Sequence, residues 1–163
     1  AVIFTGVAGA LDPALNIGDV VVSRSCVQQD MDVTPLGFAR GVIPYQDVSD
    51  FPSDDGLIRL AMEAGDRVFP GRCRLGKVLS GDQFVADRAL VKLLHEEMGG
   101  SCVEMEGAAV AQVCYMNGIP HVVIRSMSDK ADGSAHVNFA EFTVEAANRS
   151  FAIVADMVRH WEA

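Results

Sequence analysis

The sequence predicts an α/β fold in which helices flank a mixed, twisted central sheet. Runs of β-branched and apolar residues alternate with stretches of helical spacing along the chain. Several strand-like runs end in polar or acidic residues followed by a loop, which is where α/β sheets place ligand sites. Half of the 163 residues are hydrophobic, which suffices for one core. We therefore expect a single domain over residues 1–163.

The first 54 residues predict two strands, a small-residue turn and a long irregular segment. Ala1–Thr5 has a strand pattern from its first residue, so we expect a fold that is incomplete at its N-terminus. Gly6–Ala10 predicts a turn, which suits either a ligand cradle or a simple tight bend. Val20–Ser23 predicts the second strand. Residues 24–54 contain scattered proline and glycine, and so long a loop usually has a function or lies at an interface.

The middle of the chain predicts strands and helices in alternation. Asp55–Gly65 has helical spacing between an acidic start and a glycine stop. Arg72–Gly81 predicts a strand, and Asp87 is placed to cap a helix through Met98. Cys102–Glu106 predicts a short strand that continues into a helix of small residues, Gly107–Asn117, which can pack closely on the sheet.

The last third predicts a buried strand and a long helix. His121–Met127 is apolar and β-branched with no helical spacing, and it breaks into a polar turn. Asn138 and Glu141 have the spacing of a capping box, which predicts a helix from there to about Trp161.

Acidic residues at two strand ends are the first candidates for chemistry. Ser128 and Asp129 follow the last strand, although an Asp there also suits a turn cap. Glu104 and Glu106 occupy the end of a second strand. Two such acids could supply a proton donor and an acceptor for hydroxyl groups.

Composition excludes several classes of partner. The formal net charge of −9 and the pI near 4.7 oppose binding to nucleic acid or to anionic membranes. No apolar run reaches the roughly 18 residues of a membrane span. Asp30 and Asp32 have no histidine or further carboxylate beside them, so we read them as turn and strand-edge residues and expect no metal and no cofactor. The cysteines lack metal-ligand spacing and are expected to be reduced thiols of a cytoplasmic protein; they are Cys26, Cys73, Cys102 and Cys114.

Five segments resemble, in order and spacing, the 5′-methylthioadenosine/S-adenosylhomocysteine nucleosidases of the purine and uridine phosphorylase superfamily. They are FTGVAGAL, NIGDVVVS, LSGDQFV, VEMEGAAVAQVC and VIRSMSDKAD. The resemblance spans essentially the whole chain and aligns it with roughly the C-terminal two-thirds of such an enzyme. It places the glutamate that activates the water upstream of Ala1, so this segment alone is expected to be inactive.

The resemblance implies hydrolysis of the N-glycosidic bond of a 5′-thioadenosine to adenine and a thioribose, without a cofactor. It assigns protonation of adenine N7 to Asp129, with Ser128 in support, and the ribose hydroxyls to Glu106. It assigns Arg125 and Gly9 to the sugar and water site. From the residues alone, Arg125 could equally be a structural partner of Glu104 or Glu106.

Other positions are expected to contact the base or the sugar. By the resemblance, Met105 lies beneath the sugar, Phe84 and Val85 lie near the base, and Phe139 forms a wall of the base pocket. Without the resemblance, Met105, Phe84 and Val85 would be interpreted as core residues.

The resemblance also implies a homodimer in which the 24–54 loop reaches across the interface. Leu36 and Phe38 fall where relatives place aromatic residues of the neighbouring subunit's 5′-tail pocket, and Leu36 departs from that pattern. Val7 replaces a frequent serine, which favours water over phosphate as the nucleophile. A purine or uridine phosphorylase and a non-catalytic nucleoside-binding protein remain as alternatives.

Overall fold

The computed structural model describes residues 1–131 and 135–161, and for 135–141 it describes the backbone alone. Six strands and four α-helices follow one another in this range, with a short 3₁₀ turn at Thr34–Leu36. The strands are β1 (Val2–Ala10), β2 (Val20–Gln28), β3 (Asp50–Pro52), β4 (Cys73–Ser80), β5 (Cys102–Glu104) and β6 (His121–Asp129). The helices are α1 (Asp55–Val68), α2 (Arg88–Glu96), α3 (Gly107–Met116) and α4 (Ala135–Arg159).

The sheet is mixed, as predicted, and it closes on itself. Its strand order is β3-β2-β4-β5-β1-β6, and β6 also pairs with β2, so five strands form a ring to which β3 is attached. β1 runs parallel to β6, and β4 runs parallel to both β2 and β5. The β1–β5, β2–β6 and β2–β3 pairs are antiparallel. The α/β class is confirmed, and the ring closure is a feature that the sequence did not predict.

Helices cover the sheet on more than one side. One apolar cluster packs α3 against the strands through residues such as Ala108, Val123 and Met127. A second cluster joins α1 and α4 to β2 and β6 through Ala61 and Ile153, among others. A third cluster lies beneath α2. None of the helices in the described parts of the chain has the length and apolar character that a membrane crossing requires.

The predicted turn at Gly6–Ala10 is wrong, because these residues continue β1. They pair with β6 in parallel register, with a bulge between Ala8 and Gly9. A Cβ at Gly6 would lie 1.7 Å from Nη1 of Arg125, so Gly6 gives room to a neighbouring side chain rather than bending the chain.

The three largest remaining differences from the predicted boundaries concern β2, α1 and α4. β2 continues five residues beyond Ser23, since it pairs with both β3 and β4, so the 24–54 segment is only partly irregular. α1 runs past Gly65, which lies inside the helix where a Cβ would be 2.3 Å from Sγ of Cys73. α4 begins at Ala135 and not at Asn138. The cap of α2 is as predicted, since the Asp87 carboxylate accepts from the Leu90 amide at 2.8 Å.

Candidate active site

A cavity of about 250 Å³ lies where the end of β1, the end of β6 and the β5–α3 junction meet. The loop that follows β4 forms another of its walls. Seven of the predicted site residues line this one cavity: Gly9, Phe84, Val85, Met105, Glu106, Ser128 and Asp129. The two carboxylates singled out from separate strands, Glu106 and Asp129, thus face the same space.

Asp129 ends β6 and is buried, with two neutral hydrogen-bond donors. The Ser128 hydroxyl donates to Oδ2 at 2.8 Å, and the Ala131 amide donates to Oδ1 at 2.7 Å. The bond to Ala131 is the local turn contact expected of an Asp in this position. Asp129 therefore caps the turn and lines the cavity at once, so the two interpretations of this residue are compatible.

Gly9 permits the close approach of β1 to this turn. A Cβ at Gly9 would lie 3.0 Å from both Oδ1 of Asp129 and Cβ of Ala131. Ala131 itself has φ 52°, a left-handed backbone conformation that is uncommon for a residue with a side chain. The bulge at Ala8 and Gly9 therefore brings the two strand ends together around the Asp129 carboxyl group.

Glu104 and Glu106 differ sharply although they are two residues apart. The side chain of Glu104 is 3% exposed and that of Glu106 is 62% exposed. Glu104 ends β5, whereas Glu106 is the residue before α3 and opens onto the cavity. Met105, between them, is also exposed at the cavity, so its interpretation as a core residue is wrong.

Arg125 is buried in β6 and contacts both of these glutamates. Its guanidinium pairs directly with Glu104 and lies 3.6 Å from the Glu106 carboxylate. It also lies 4.5 Å above the ring of Phe4, in a cation–π contact. Arg125 is therefore a structural partner of these glutamates, one of the two interpretations left open by the sequence. Both of its carboxylate partners line the cavity.

The loop between β4 and α2 carries the residues predicted to lie near the base. Phe84 is half-exposed at the cavity, so its interpretation as a core residue is wrong. Val85 lines the cavity and also belongs to the apolar cluster beneath α2. The side chain of Phe139, the remaining predicted pocket residue, lies outside the described residues.

Sequence reasoning missed the importance of Glu104. It lines the cavity and accepts hydrogen bonds from the Ser80 hydroxyl and the Gly107 amide. The signal was present, because an acid that precedes a helix of small residues can satisfy the free amides of its first turn. The resemblance assigned a role to Glu106 instead.

Among the described residues, the cavity wall has carboxylates and no basic side chain. Glu104, Glu106 and Asp129 line it, whereas the Arg125 charge is already paired. Val7 adds an apolar surface. Such a wall disfavours an anion such as phosphate.

The described residues contain no cluster of His, Cys, Asp or Glu side chains able to hold a metal ion. Asp30 and Asp32 have structural partners: Asp30 accepts from the Asp82 amide, and Asp32 pairs with Arg40, both at 2.8 Å. The four cysteines are buried and free, in agreement with the prediction of reduced thiols. Burial raises the pKa of Cys26 to about 12, which makes it a poor nucleophile.

A larger cleft of about 730 Å³ lies at the other end of the ring, near Ala1 and Pro120. It is a less suitable site, because Arg67 in its wall is already paired with Asp156 at 2.7 Å. It also lies at the start of β1 and β6, whereas ligand sites of α/β sheets lie beyond the strand carboxyl ends.

Comparison with known proteins agrees with the resemblance. Residues 1–159 match the family model described as the Phosphorylase superfamily. The chain belongs to the phosphorylase superfamily. Among members of this superfamily, the 5′-methylthioadenosine/S-adenosylhomocysteine nucleosidase of Halalkalibacterium halodurans is 42% identical over 160 residues, which cover 94% of this chain and 68% of that protein. The aminodeoxyfutalosine nucleosidase of Campylobacter jejuni is 36% identical, covering 96% and 68% of the two chains.

Solved structures from the superfamily share the fold. A Helicobacter pylori 5′-methylthioadenosine/S-adenosylhomocysteine nucleosidase in complex with a substituted pyrrolidin-3-ol superposes with a TM-score of 0.91 at 36% identity. The match covers 98% of this chain and 68% of that one. The architecture derived above is therefore that of the superfamily's nucleosidases.

Proposed function

We propose that the protein hydrolyses the N-glycosidic bond of 5′-methylthioadenosine and S-adenosylhomocysteine, releasing adenine and a 5-thioribose. The observation that carries this proposal is the convergence of Asp129 and Glu106 on one cavity. Relatives at up to 42% identity are named as nucleosidases of these two compounds, which supports the substrate class. The cavity has a volume of about 250 Å³, slightly below the range of about 300–1,000 Å³ that is usual for ligand pockets.

At the base end, Asp129 would donate a proton to adenine N7. Its Oδ1 accepts a hydrogen bond from the Ala131 amide, and this backbone donor cannot rotate to become an acceptor. The transferable proton therefore belongs on Oδ2. The Ser128 hydroxyl, which donates to Oδ2, has a second acceptor in the Ala8 carbonyl at 3.4 Å. Ser128 can therefore support Asp129 with and without its proton. Protonation of a poor leaving group typically contributes about 10²–10⁴-fold in rate.

At the sugar end, Glu106 would accept hydrogen bonds from the ribose hydroxyls. Loss of the base leaves a ribose ring with oxocarbenium character, which a nearby carboxylate stabilises. The exposure of Glu106 to the cavity and the neighbouring Met105 surface support this placement. Arg125, Gly9, Phe84, Val85 and Phe139 would complete the sugar and base contacts.

Water, rather than phosphate, is the proposed nucleophile. The acidic wall and Val7 support hydrolysis over phosphorolysis, and the phosphorylase alternative has no comparable support. The test is adenine release from methylthioadenosine by the full-length protein in phosphate-free buffer. Release at an undiminished rate is expected, and a strict requirement for phosphate would contradict the proposal.

Four 5′ substituents are candidates: methylthio, homocysteinyl, hydrogen and a futalosine-type tail. The relatives include nucleosidases named for methylthioadenosine and adenosylhomocysteine and one named for aminodeoxyfutalosine. Rates with methylthio, homocysteinyl, deoxy and futalosine-type substrates will rank them. We expect the two thioadenosines to give the highest kcat/KM.

We also propose a homodimer located in the cytoplasm. Leu36 is 74% exposed and Tyr45 is fully exposed, and both lie in the segment expected at the interface with Phe38. Apolar surface of this kind is typical of contact sites. The four free thiols support a reducing compartment. The mass in solution from light scattering should be twice that of one chain.

A further inference from the structure

Glu104 is a buried carboxylate of the sugar end to which no role has yet been given. Both of its oxygens are occupied by donors: the Gly107 amide at 2.8 and 2.9 Å, the Glu106 amide at 3.3 Å, and the Ser80 hydroxyl. Its remaining partner is the Arg125 guanidinium. Donors in this number hold the carboxylate in one orientation, and the first turn of α3 favours its negative charge.

Arg125 needs a counter-charge, because its guanidinium is buried. It lies over the ring of Phe4 and in the space left by Gly6, where little water can reach it. A buried cation left without a counter-ion is strongly unfavourable. The described surroundings offer two carboxylates, Glu104 in direct contact and Glu106 at 3.6 Å.

The two glutamates therefore compete for one cation. At present Glu104 has the direct contact, which leaves the exposed carboxylate of Glu106 open toward the cavity. If Glu104 lost its charge, Arg125 would attract Glu106 more strongly. The Glu106 carboxylate would then turn from the cavity toward the guanidinium.

We propose that Glu104 is a positioning residue of the sugar end: by neutralising Arg125, it keeps the carboxylate of Glu106 free for the ribose hydroxyls. This inference rests on the proposed function and deepens it. It assigns the two glutamates of one short motif to different tasks, one to the enzyme's own arginine and one to the substrate.

The test is Glu104→Gln in the full-length protein. Glutamine keeps the size of the side chain, and its amide group can face Ser80, whose hydroxyl can rotate to accept. The variant therefore removes the charge beside Arg125 with little change in packing. We expect kcat/KM for methylthioadenosine to fall by about 10²-fold, the usual consequence of misplacing a group by about 1 Å.

A substrate without ribose hydroxyls distinguishes misplacement of Glu106 from a general loss of activity in the variant. The 2′,3′-dideoxy analogue cannot bond to Glu106, so Glu104→Gln should change its kcat/KM far less than that of the parent. An equal fractional loss with both substrates would assign Glu104 a merely structural role and overturn the inference. Unchanged kcat/KM with the parent would also overturn it.

Folding is checked by thermal unfolding, with Glu96→Gln as the matched control. Glu96 is an exposed helix residue with a 3.9 Å pair to Lys92, so its substitution should leave both rate and stability unchanged. Should Glu104→Gln fail to fold, Glu104→Asp keeps the charge but shortens the reach to Arg125. It should give a smaller loss that again depends on the hydroxyls, and a loss independent of them would overturn the inference.

Measurements on the wild-type protein distinguish a failure of the inference about Glu104 from a failure of the proposed function. Absence of adenine release from any nucleoside would contradict the hydrolase itself. Release from the parent with a clear preference over the dideoxy analogue, but with equal losses in Glu104→Gln, would contradict only the role of Glu104.

Discussion

The two ends of the cavity, which we propose to be the base end and the sugar end, hold their carboxyl groups in opposite ways. At the base end, the donors to Asp129 among the described residues are neutral: the Ser128 hydroxyl and the Ala131 amide. At the sugar end, Glu104 and Glu106 flank the buried guanidinium of Arg125. Among the described residues Asp129 has no ion pair, whereas Glu104 and Glu106 both pair with Arg125. Under the proposed function, this contrast assigns proton transfer to the base end and charge stabilisation to the sugar end.

The local structure explains the difference between the two ends. The base end forms where β1 and β6 finish side by side, so one donor comes from β6 itself and the other from the turn that follows it. The sugar end forms where β5 passes into α3, so the donors include the free amides at the start of the helix. The following predictions test this division, beginning with the largest expected effect.

Asp129→Asn should lower kcat for adenine release by about 10²–10⁴-fold, because an amide cannot protonate the leaving base. A 4-nitrophenyl riboside tests the division of roles further, because its leaving group, 4-nitrophenolate, departs without being protonated. Asp129→Asn should largely spare that substrate. Undiminished kcat with the adenine nucleoside would show that Asp129 is not the proton donor.

Glu106→Gln should lower kcat/KM by about 10- to 100-fold, since hydrogen bonds to a charged group contribute about 1.5–3 kcal/mol. Unlike Asp129→Asn, it should impair the nitrophenyl riboside as well, because it acts on the sugar. The melting temperature should change little, since the side chain is largely exposed. Wild-type kinetics in this variant would remove Glu106 from the site.

Ser128→Ala should lower kcat by about 2- to 10-fold, the effect of one hydrogen bond worth about 0.5–1.5 kcal/mol. Ser126→Ala is the matched control. Ser126 is buried on the same strand, and its Oγ has no partner among the described residues. Equal losses in the two variants would show that removal of any hydroxyl from β6 weakens the enzyme, and that Ser128 has no special link to Asp129.

A pH effect on stability should arise far from both ends of the cavity. Burial lowers the pKa of His121, at the start of β6, from 6.5, and this outweighs the opposing effects of the Ile119 backbone and Asp54. The unfolded chain therefore binds a proton more readily, and stability should be lost as pH falls below 6.5. His121→Gln should flatten this dependence in thermal unfolding followed across that range. An unchanged slope would assign the acid sensitivity to other groups.

Much of the fold could be predicted because its signals are local. The β-branched run of β6, the Asp87 cap and the small residues of α3 each specify their own element. Predictions failed where a residue distant in the sequence determined how far a strand or helix extends. Gly6 and Gly65 were interpreted as chain breakers, yet each lies inside an element because a side chain from elsewhere occupies the space beside it.

The sequence by itself determined the α/β class, the order of the strands and helices other than β3, and the acidic residues at the strand ends. Only the tertiary structure decided that the sheet closes into a ring, that Arg125 pairs more closely with Glu104 than with Glu106, and that Ser128 has a second acceptor in Ala8. The reason is separation along the chain. Arg125 and Glu104 are 21 residues apart and Ser128 and Ala8 are 120 apart, and no local pattern specifies contacts over such distances.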